Sequence, residues 1–282
     1  MKGLSRGAFV TDLDGTLLQN GRLSQVDLDA WQELERQNIL RVIATGRSLH
    51  SLQRTLPDDF PLDYAILSTG NVILDWHSGN IVHSARITPA EALNIAGLLV
   101  DLDIGFMLHE DLPSPHRFWF HPGRNPASDF MRRLELHRSY GTPWAAQMIT
   151  DSVSQFVAII EAEQQMLAKR VEQELAMHSV IRATSPLDDS SVWVEIFGAD
   201  VSKSRGIRRI LDHVGQPGLP VAAIGNDYND MDMLDFADIS FRVCNAFLEE
   251  KPTYITTPCE QGAVAYAVRH FTQYLSLKMK HA

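Results

Sequence analysis

The sequence predicts an α/β protein: a doubly wound, Rossmann-like parallel sheet whose chain is interrupted by an inserted α+β unit. Three observations carry that expectation. Short apolar runs ending in polar turns alternate with helical patterns from Ala8 to Leu67, the alternation breaks after Gly70, and it resumes at Ser202. Alternating strands and helices imply parallel strands, and such sheets bind ligands beyond the carboxyl ends of their strands. A length of 282 residues also exceeds what one hydrophobic core usually organises.

Ala8-Phe9-Val10 reads as a buried strand running into the polar turn Asp12-Leu13-Asp14-Gly15-Thr16. Ser24 then N-caps a helix reaching Gln37, with Leu23 and Leu28 as a hydrophobic staple and Val26, Trp31 and Leu34 on its apolar side. Leu40–Ala44 is a second strand, Thr45-Gly46-Arg47 a turn, Ser48–Leu56 a helix and Tyr64–Leu67 a third strand. Val72–Asp75 and Ile81–Ser84, joined by Ser78-Gly79-Asn80, read as a hairpin.

The inserted unit opens on Thr88-Pro89-Ala90-Glu91, whose spacing is that of a capping box with proline at the first helical position, and the helix extends to about Asp101. Strands are expected at Ile104–Leu108, Phe118–Phe120, Gln155–Ile160, Val180–Ala183 and Val192–Phe197, with helices at Ser128–His137 and Glu163–Met177. That order suggests an antiparallel, one-sided sheet. The alternation returns with a helix carrying Ile207, Ile210, Leu211 and Val214 on one face, then a strand at Val221–Ile224. A third polar turn follows, Gly225-Asn226-Asp227-Tyr228-Asn229-Asp230, and leads into a helix through Met233 and Leu234. The resulting segments are 1–84 and 199–282 for the sheet unit and 85–198 for the insertion.

Composition is that of an ordinary globular protein, 45% hydrophobic and 21% charged, which excludes a disordered chain. A formal net charge of -10 argues against a nucleic-acid partner, so a phosphate-bearing ligand needs a local positive centre such as a metal, one or two basic residues or a helix N-terminus. Cys244 and Cys259 are too few for a disulfide framework or a zinc cluster, which fits a reducing cytoplasm. Neither Met1–Val10 nor apolar stretches such as Ala96–Val100 can span a bilayer, so no membrane association is expected.

Each polar turn alone has an ordinary explanation as a strand-end turn or helix cap. Together they map to one edge of one sheet. Acids packed there would repel unless a cation lay among them, and oxygen-only donors suit magnesium better than zinc.

These residues resemble the haloacid dehalogenase (HAD) superfamily, specifically its Cof-like phosphatases with a subclass IIB cap, over nearly the whole chain. The matching pieces are Asp12-Leu13-Asp14-Gly15-Thr16-Leu17, Ala44-Thr45-Gly46-Arg47, Val201-Ser202-Lys203-Ser204-Arg205-Gly206 and Gly225–Leu234, with Asn245-Ala246 and Glu260-Gln261-Gly262-Ala263-Val264 similar to later signatures. The resemblance implies a HAD core carrying an α+β cap, and a magnesium-dependent phosphomonoesterase for small phosphorylated metabolites such as sugar phosphates. It implies Asp12 as nucleophile, forming an aspartyl-phosphate, Asp14 as acid and base, and Thr45 and Lys203 as electrostatic partners. Phosphate would meet Thr45, Gly46, Arg47, Lys203 and Asn229; Mg2+ would meet Asp12, Asp14 through its main-chain carbonyl, Asn226, Asp227 and Asp230. Leaving-group recognition would fall to the insertion, with His109, Glu110, Arg117, Trp119 and His121 as candidates. Two departures are visible: Asn226 stands where the family carries an aspartate, and Thr69-Gly70-Asn71 replaces an Asn-Gly pair. Alternative readings are a phosphomannomutase-type phosphosugar mutase and a catalytically weak phospho-ligand sensor, and the expected assembly is a monomer or homodimer.

Overall fold

The computed structural model describes residues 4–57, 59–185, 187, 191–246 and 254–280. They form two compact units, Met1–Ser84 with Ser202–Ala282, and Ala85–Val201. Val201 stays with the second unit, past the expected boundary at 198, because its N–H donates to Ser179 Oγ at 2.9 Å.

The first unit begins with β1 (Gly7–Thr11), buried along its whole length, as suits a central strand covered on both faces. The short strands β2 (Leu18–Gln19) and β3 (Arg22–Leu23) form a small hairpin that the sequence pattern does not signal. Helix α1 (Gln25–Arg36) has Ser24 as N-cap, its hydroxyl oxygen accepting from Asp27 N. Its inward face is Asp27, Trp31 and Leu34, whereas Val26 is 58% exposed, contrary to expectation. Asp27 takes the inward position because its carboxylate accepts from the Ser24 hydroxyl at 2.7 Å and from Ala265 N at 2.7 Å. β4 (Ile39–Ala44) follows, and α2 (Leu49–Gln53) stops short of the expected Leu56, since Pro57 bars helical geometry at the residue before it. β5 (Tyr64–Leu67) runs into a 3-10 turn, Ser68–Gly70, and then into the hairpin of β6 (Val72–Asp75) and β7 (Ile81–Ser84).

The second unit contains α3 (Pro89–Asp101), β8 (Phe106–Glu110), β9 (Phe118–His121), α4 (Ser128–Leu136), β10 (Gly141–Pro143), β11 (Val153–Ile160), α5 (Gln165–Glu174), β12 (Ser179–Thr184) and β13 (Val192–Phe197). The capping box of α3 forms as the sequence requires, with Thr88 and Glu91 bonding reciprocally. The strands join in the order β10-β9-β8-β11-β13-β12. Two expectations fail here. The β9–β10 pair is parallel, so the sheet is mixed. Nor is it one-sided: α3 and α5 pack through Ile95, Leu99 and Val171 on Phe106, Phe156 and Ile196, while Phe130 of α4 packs on Met107, Val157 and Trp193 of the opposite face.

The chain returns to the first unit with α6 (Lys203–His213), β14 (Val221–Gly225), α7 (Met231–Phe236), β15 (Ile239–Arg242), β16 (Tyr254–Ile255) and α8 (Ala263–Lys280). Its sheet runs β16-β15-β14-β1-β4-β5-β6-β7, parallel from β16 to β5 and antiparallel beyond. Helices cover both faces: Ala8 and Val10 meet Ile207, Ile210 and Met233, whereas Phe9 meets Trp31 and Phe271. Strand β1 is where the chain switches from building one flank to building the other, and a ligand site is expected at its carboxyl end. No helix among the described residues is long and apolar enough to cross a membrane.

Candidate active site

Asp12 is the first residue beyond β1, and its N–H donates to Ile224 O of β14 at 2.9 Å, which fixes the turn to the sheet. Lys203 opens α6 behind its N-cap Ser202. A cation at a helix N-terminus opposes the helix dipole, so this placement requires anions. They are present: Lys203 Nζ lies 2.8 Å from Asp12 Oδ1 and 2.5 Å from Asp230 Oδ1. Lys203 and Asp230 are fully buried and Asp12 is nearly so. Burial works against the Lys203 charge, but the two carboxylates hold its pKa above the ordinary lysine value. Asp12 is pushed up to about 7, mainly by burial and then by the Asp230 charge, with Lys203 opposing.

Asp230 has no oxygen left over. Its Oδ2 accepts from Asn226 N at 2.8 Å and Asp227 N at 3.1 Å, closing the turn that follows β14. The turn needs Gly225, because a Cβ there would sit 2.5 Å from Asp230 Oδ2. Asp230, expected among the metal donors, is thereby engaged as the partner of Lys203. Asp227 Oδ1 accepts from Tyr228 N at 2.7 Å and caps the short 3-10 turn on which half-buried Asn229 sits.

Thr45 is held by its N–H to Ile66 O at 2.8 Å, and its hydroxyl oxygen accepts from Arg47 N at 3.1 Å, which leaves the hydroxyl proton free to donate. Gly46 lies between these two anchored residues. Beside them, Ser68, Thr69 and Gly70 all have positive φ, at 43°, 56° and 111°. Such a run is costly for non-glycine residues, above all β-branched threonine. It is bonded to the neighbouring loop, with Ser68 N donating to Arg47 O and Thr69 N to Thr45 O.

Arg47, expected at the phosphate, is paired here with Asp14. Its Nε and Nη2 each lie 2.7 Å from an oxygen of Asp14, a two-pronged ion pair, while Nη1 reaches Thr55 Oγ1 at 2.7 Å and Ser51 Oγ at 3.2 Å. Sequence reading missed Ser51 and Thr55, ordinary residues that only this geometry singles out. It also missed Asp232, whose Oδ2 accepts from Ser204 N at 2.8 Å in the first turn of α6.

No group of three His, Cys, Asp or Glu side chains among the described residues is arranged to hold a metal. Near Asp12, position 226 carries an amide and Asp230 is bonded to Lys203 and to the N–H groups of its own turn. The residues still fit a hard divalent cation. Asp12 keeps Oδ2 apart from its Lys203 contact, and the Asn226 side chain lies against Gly15, its Nδ2 2.5 Å and its Oδ1 4.0 Å from where a Cβ there would sit. Two buried carboxylates share one ammonium, so the pocket lacks positive charge, and a hard cation with oxygen donors supplies it.

The insertion candidates divide between faces. His109 is buried, pairs across with Phe118 and bonds Pro115 O through Nδ1 at 2.9 Å, whereas Trp119 and His121 pair with Leu108 and Phe106 on the α3 side. His109 therefore lies on the face opposite Trp119 and His121.

The sequence profile of the haloacid dehalogenase-like hydrolases matches residues 9–268. The chain belongs to this family. Two solved structures share its fold: the HAD subclass IIB sugar phosphatase BT4131, at 19% identity with a TM-score of 0.74 over 94% of this chain and 99% of that one, and the HAD-superfamily phosphatase BT1666 from Bacteroides thetaiotaomicron, at 20% and 0.76 over 96% and 99%. The 5-amino-6-(5-phospho-D-ribitylamino)uracil phosphatase YwtE of Bacillus subtilis is 25% identical over 281 residues, covering 91% of this chain and 95% of that protein. A Streptococcus pyogenes serotype M6 relative, 24% identical over 264 residues, is longer, and the match spans 52% of it and 91% of this chain. The HAD hydrolase family and subclass IIB fold inferred from the motifs agree with these findings.

Proposed function

We propose that this HAD hydrolase is a magnesium-dependent phosphomonoesterase for small phosphorylated metabolites, sugar phosphates among them, working through an aspartyl-phosphate on Asp12. The observation that carries the reading is the buried Asp12–Lys203–Asp230 group at the carboxyl end of β1. A nucleophilic carboxylate needs a nearby fixed cation to approach a phosphate dianion, and Lys203, locked by Asp230, provides one. The sugar phosphatase and phosphoribityl phosphatase activities named for its relatives support the substrate class.

In this reading Asp12 Oδ2 attacks phosphorus, the P–O bond to the leaving alcohol breaks, and Asp14 gives that oxygen its proton. Asp14 then takes a proton from the water that attacks the phosphoryl group, releasing inorganic phosphate and restoring Asp12. Thr45 donates its hydroxyl proton to a phosphoryl oxygen, and Lys203 balances the charge gathering between Asp12 and phosphorus. Asp12, the Asp14 carbonyl, Asn226 and Asp227 would hold magnesium, which would supply charge neutralisation there. The free cysteines Cys244 and Cys259 suit a reducing cytoplasm.

Phosphate release from p-nitrophenyl phosphate, measured with magnesium and with EDTA, tests this. Metal-dependent turnover lost in Asp12→Asn is expected; undiminished turnover by that variant refutes the mechanism. Mannose 1-phosphate converted to mannose 6-phosphate without phosphate release would instead select a mutase.

A further inference from the structure

The phosphatase reading uses Arg47 only as a phosphate contact, yet in the structure every nitrogen of its guanidinium is committed elsewhere. Nε and Nη2 grip the two oxygens of Asp14, and Nη1 is held by Thr55 and Ser51 of the α2 segment. Thr55 is itself oriented, its hydroxyl donating to Ser51 O at 2.9 Å, so its lone pairs face Arg47. The backbone is pinned as well, Arg47 N on Thr45 Oγ1 and Arg47 O receiving Ser68 N from the strained turn. A surface ion pair between two free side chains has none of this support and contributes little. Here the arginine is anchored through Thr55, Ser51 and its own backbone, and its other arm meets the half-exposed Asp14 side chain.

Held in this fork, Asp14 has both oxygens occupied as acceptors and cannot deliver a proton. Guanidinium binds phosphate in the same two-pronged geometry as carboxylate. The arriving phosphoryl group is therefore the natural competitor for the fork.

We propose that Arg47 is a positioning residue that keeps the Asp14 carboxylate beside the phosphate site and hands it to the leaving group when the substrate's phosphoryl group takes the guanidinium, so that without Arg47 the proton shuttle is not poised at the leaving oxygen. The proposal rests on Asp14 being the acid and base of the phosphatase reading. It predicts that Arg47 acts on the leaving group through Asp14, and not only on phosphate affinity.

The test compares an alkyl phosphate, whose leaving group needs a proton, with p-nitrophenyl phosphate, whose leaving group does not. Asp14→Ala sets the reference: general acid catalysis contributes about 10²- to 10⁴-fold, so its alkyl phosphate turnover should fall by about that factor and its p-nitrophenyl phosphate turnover far less. Arg47→Ala should show the same asymmetry in kcat, Thr55→Val a weaker version of it, and Arg47→Lys only partial rescue, because an ammonium cannot form the fork. Adding Arg47→Ala to Asp14→Ala should bring no further leaving-group penalty. Equal losses on both substrates, expressed in KM, would make Arg47 a phosphate contact and overturn the latch. If Asp14→Ala itself shows no asymmetry, the assignment of Asp14 fails and the latch with it. If Asp14→Ala shows the asymmetry and Arg47→Ala does not, the latch alone is refuted.

Discussion

Replacing Asp12 with asparagine should stabilise the metal-free protein at neutral and alkaline pH while abolishing turnover. The ordinary carboxylate value of 3.8 is raised to about 7 at Asp12, first by burial and then by Asp230. A carboxyl whose folded pKa is raised holds its proton longer in the native than in the unfolded chain. Its stabilising contribution is complete below pH about 4 and is lost as pH rises through about 7. At about 1.4 kcal/mol per pH unit this amounts to an upper bound of about 4 kcal/mol by pH 8. Asparagine mimics the protonated acid at every pH, so it escapes that loss, but it also removes one of the two partners of Lys203. A net gain of about 2 kcal/mol is expected, or about 4–8 °C in melting temperature for a protein of this size. The assay is thermal unfolding of both proteins in EDTA between pH 4 and 8, repeated with saturating magnesium. The difference should be near zero at pH 4, grow toward pH 8, and shrink with magnesium, which compensates the wild-type carboxylate alone. A pH-independent difference, or a variant less stable throughout, would refute the claim that this pocket is short of positive charge.

Two other outcomes follow from packing and burial. Gly70→Ala should destabilise the first unit by at least about 3 kcal/mol and sharply lower activity, since a Cβ at φ 111° would sit 2.2 Å from Ser202 O, next to Lys203; urea denaturation alongside an activity assay checks both. His109 is pulled from 6.5 down to about 3 by burial and by Arg133, so the native state binds fewer protons than the unfolded chain and stability falls as pH drops from about 6.5. His109→Leu should therefore cost about 1 kcal/mol at pH 8, where only the bond to Pro115 is lost. At pH 5 it should unfold at an equal or higher urea concentration than wild type.

What the sequence made legible was short-range chemistry. The capping box at Thr88 and Glu91, the N-cap at Ser24 and the fully apolar run of β1 are each decided within a few residues, and each stands where the pattern requires. What it hid was competition between distant groups. Val26 has the right spacing for the inner face of α1, but Asp27 faces inward because it bonds Ala265, far along the chain. β10 is three residues ending in proline, too short to carry a period, and exists because it adds to β9. Phe130 of α4 sits on the sheet face opposite α3, a choice that helical periodicity does not encode. In the site, motif residue types pointed to Asp12, Thr45, Lys203 and the 226–230 turn, but not to how their bonds are shared out. Asp230 and Asp227 look equivalent as oxygen donors until the backbone N–H groups of the turn claim Asp230 Oδ2.

That sharing-out explains how the site accommodates Asn226. With an aspartate there, the pocket would hold a further negative charge near Asp12 and Asp230, against the single ammonium of Lys203. On the proposed magnesium reading, asparagine would keep an oxygen donor while removing that repulsion, at the expense of metal attraction. Asn226→Asp should then bind magnesium more tightly, read by calorimetry, and at the same time lower the melting temperature in EDTA, because a half-buried carboxylate next to Asp12 and Asp230 adds like-charge repulsion that no cation offsets. Tighter metal binding with no loss of metal-free stability would mean that the Asn226 side chain does not share the electrostatic environment of Asp12, and the charge argument for this substitution would fall.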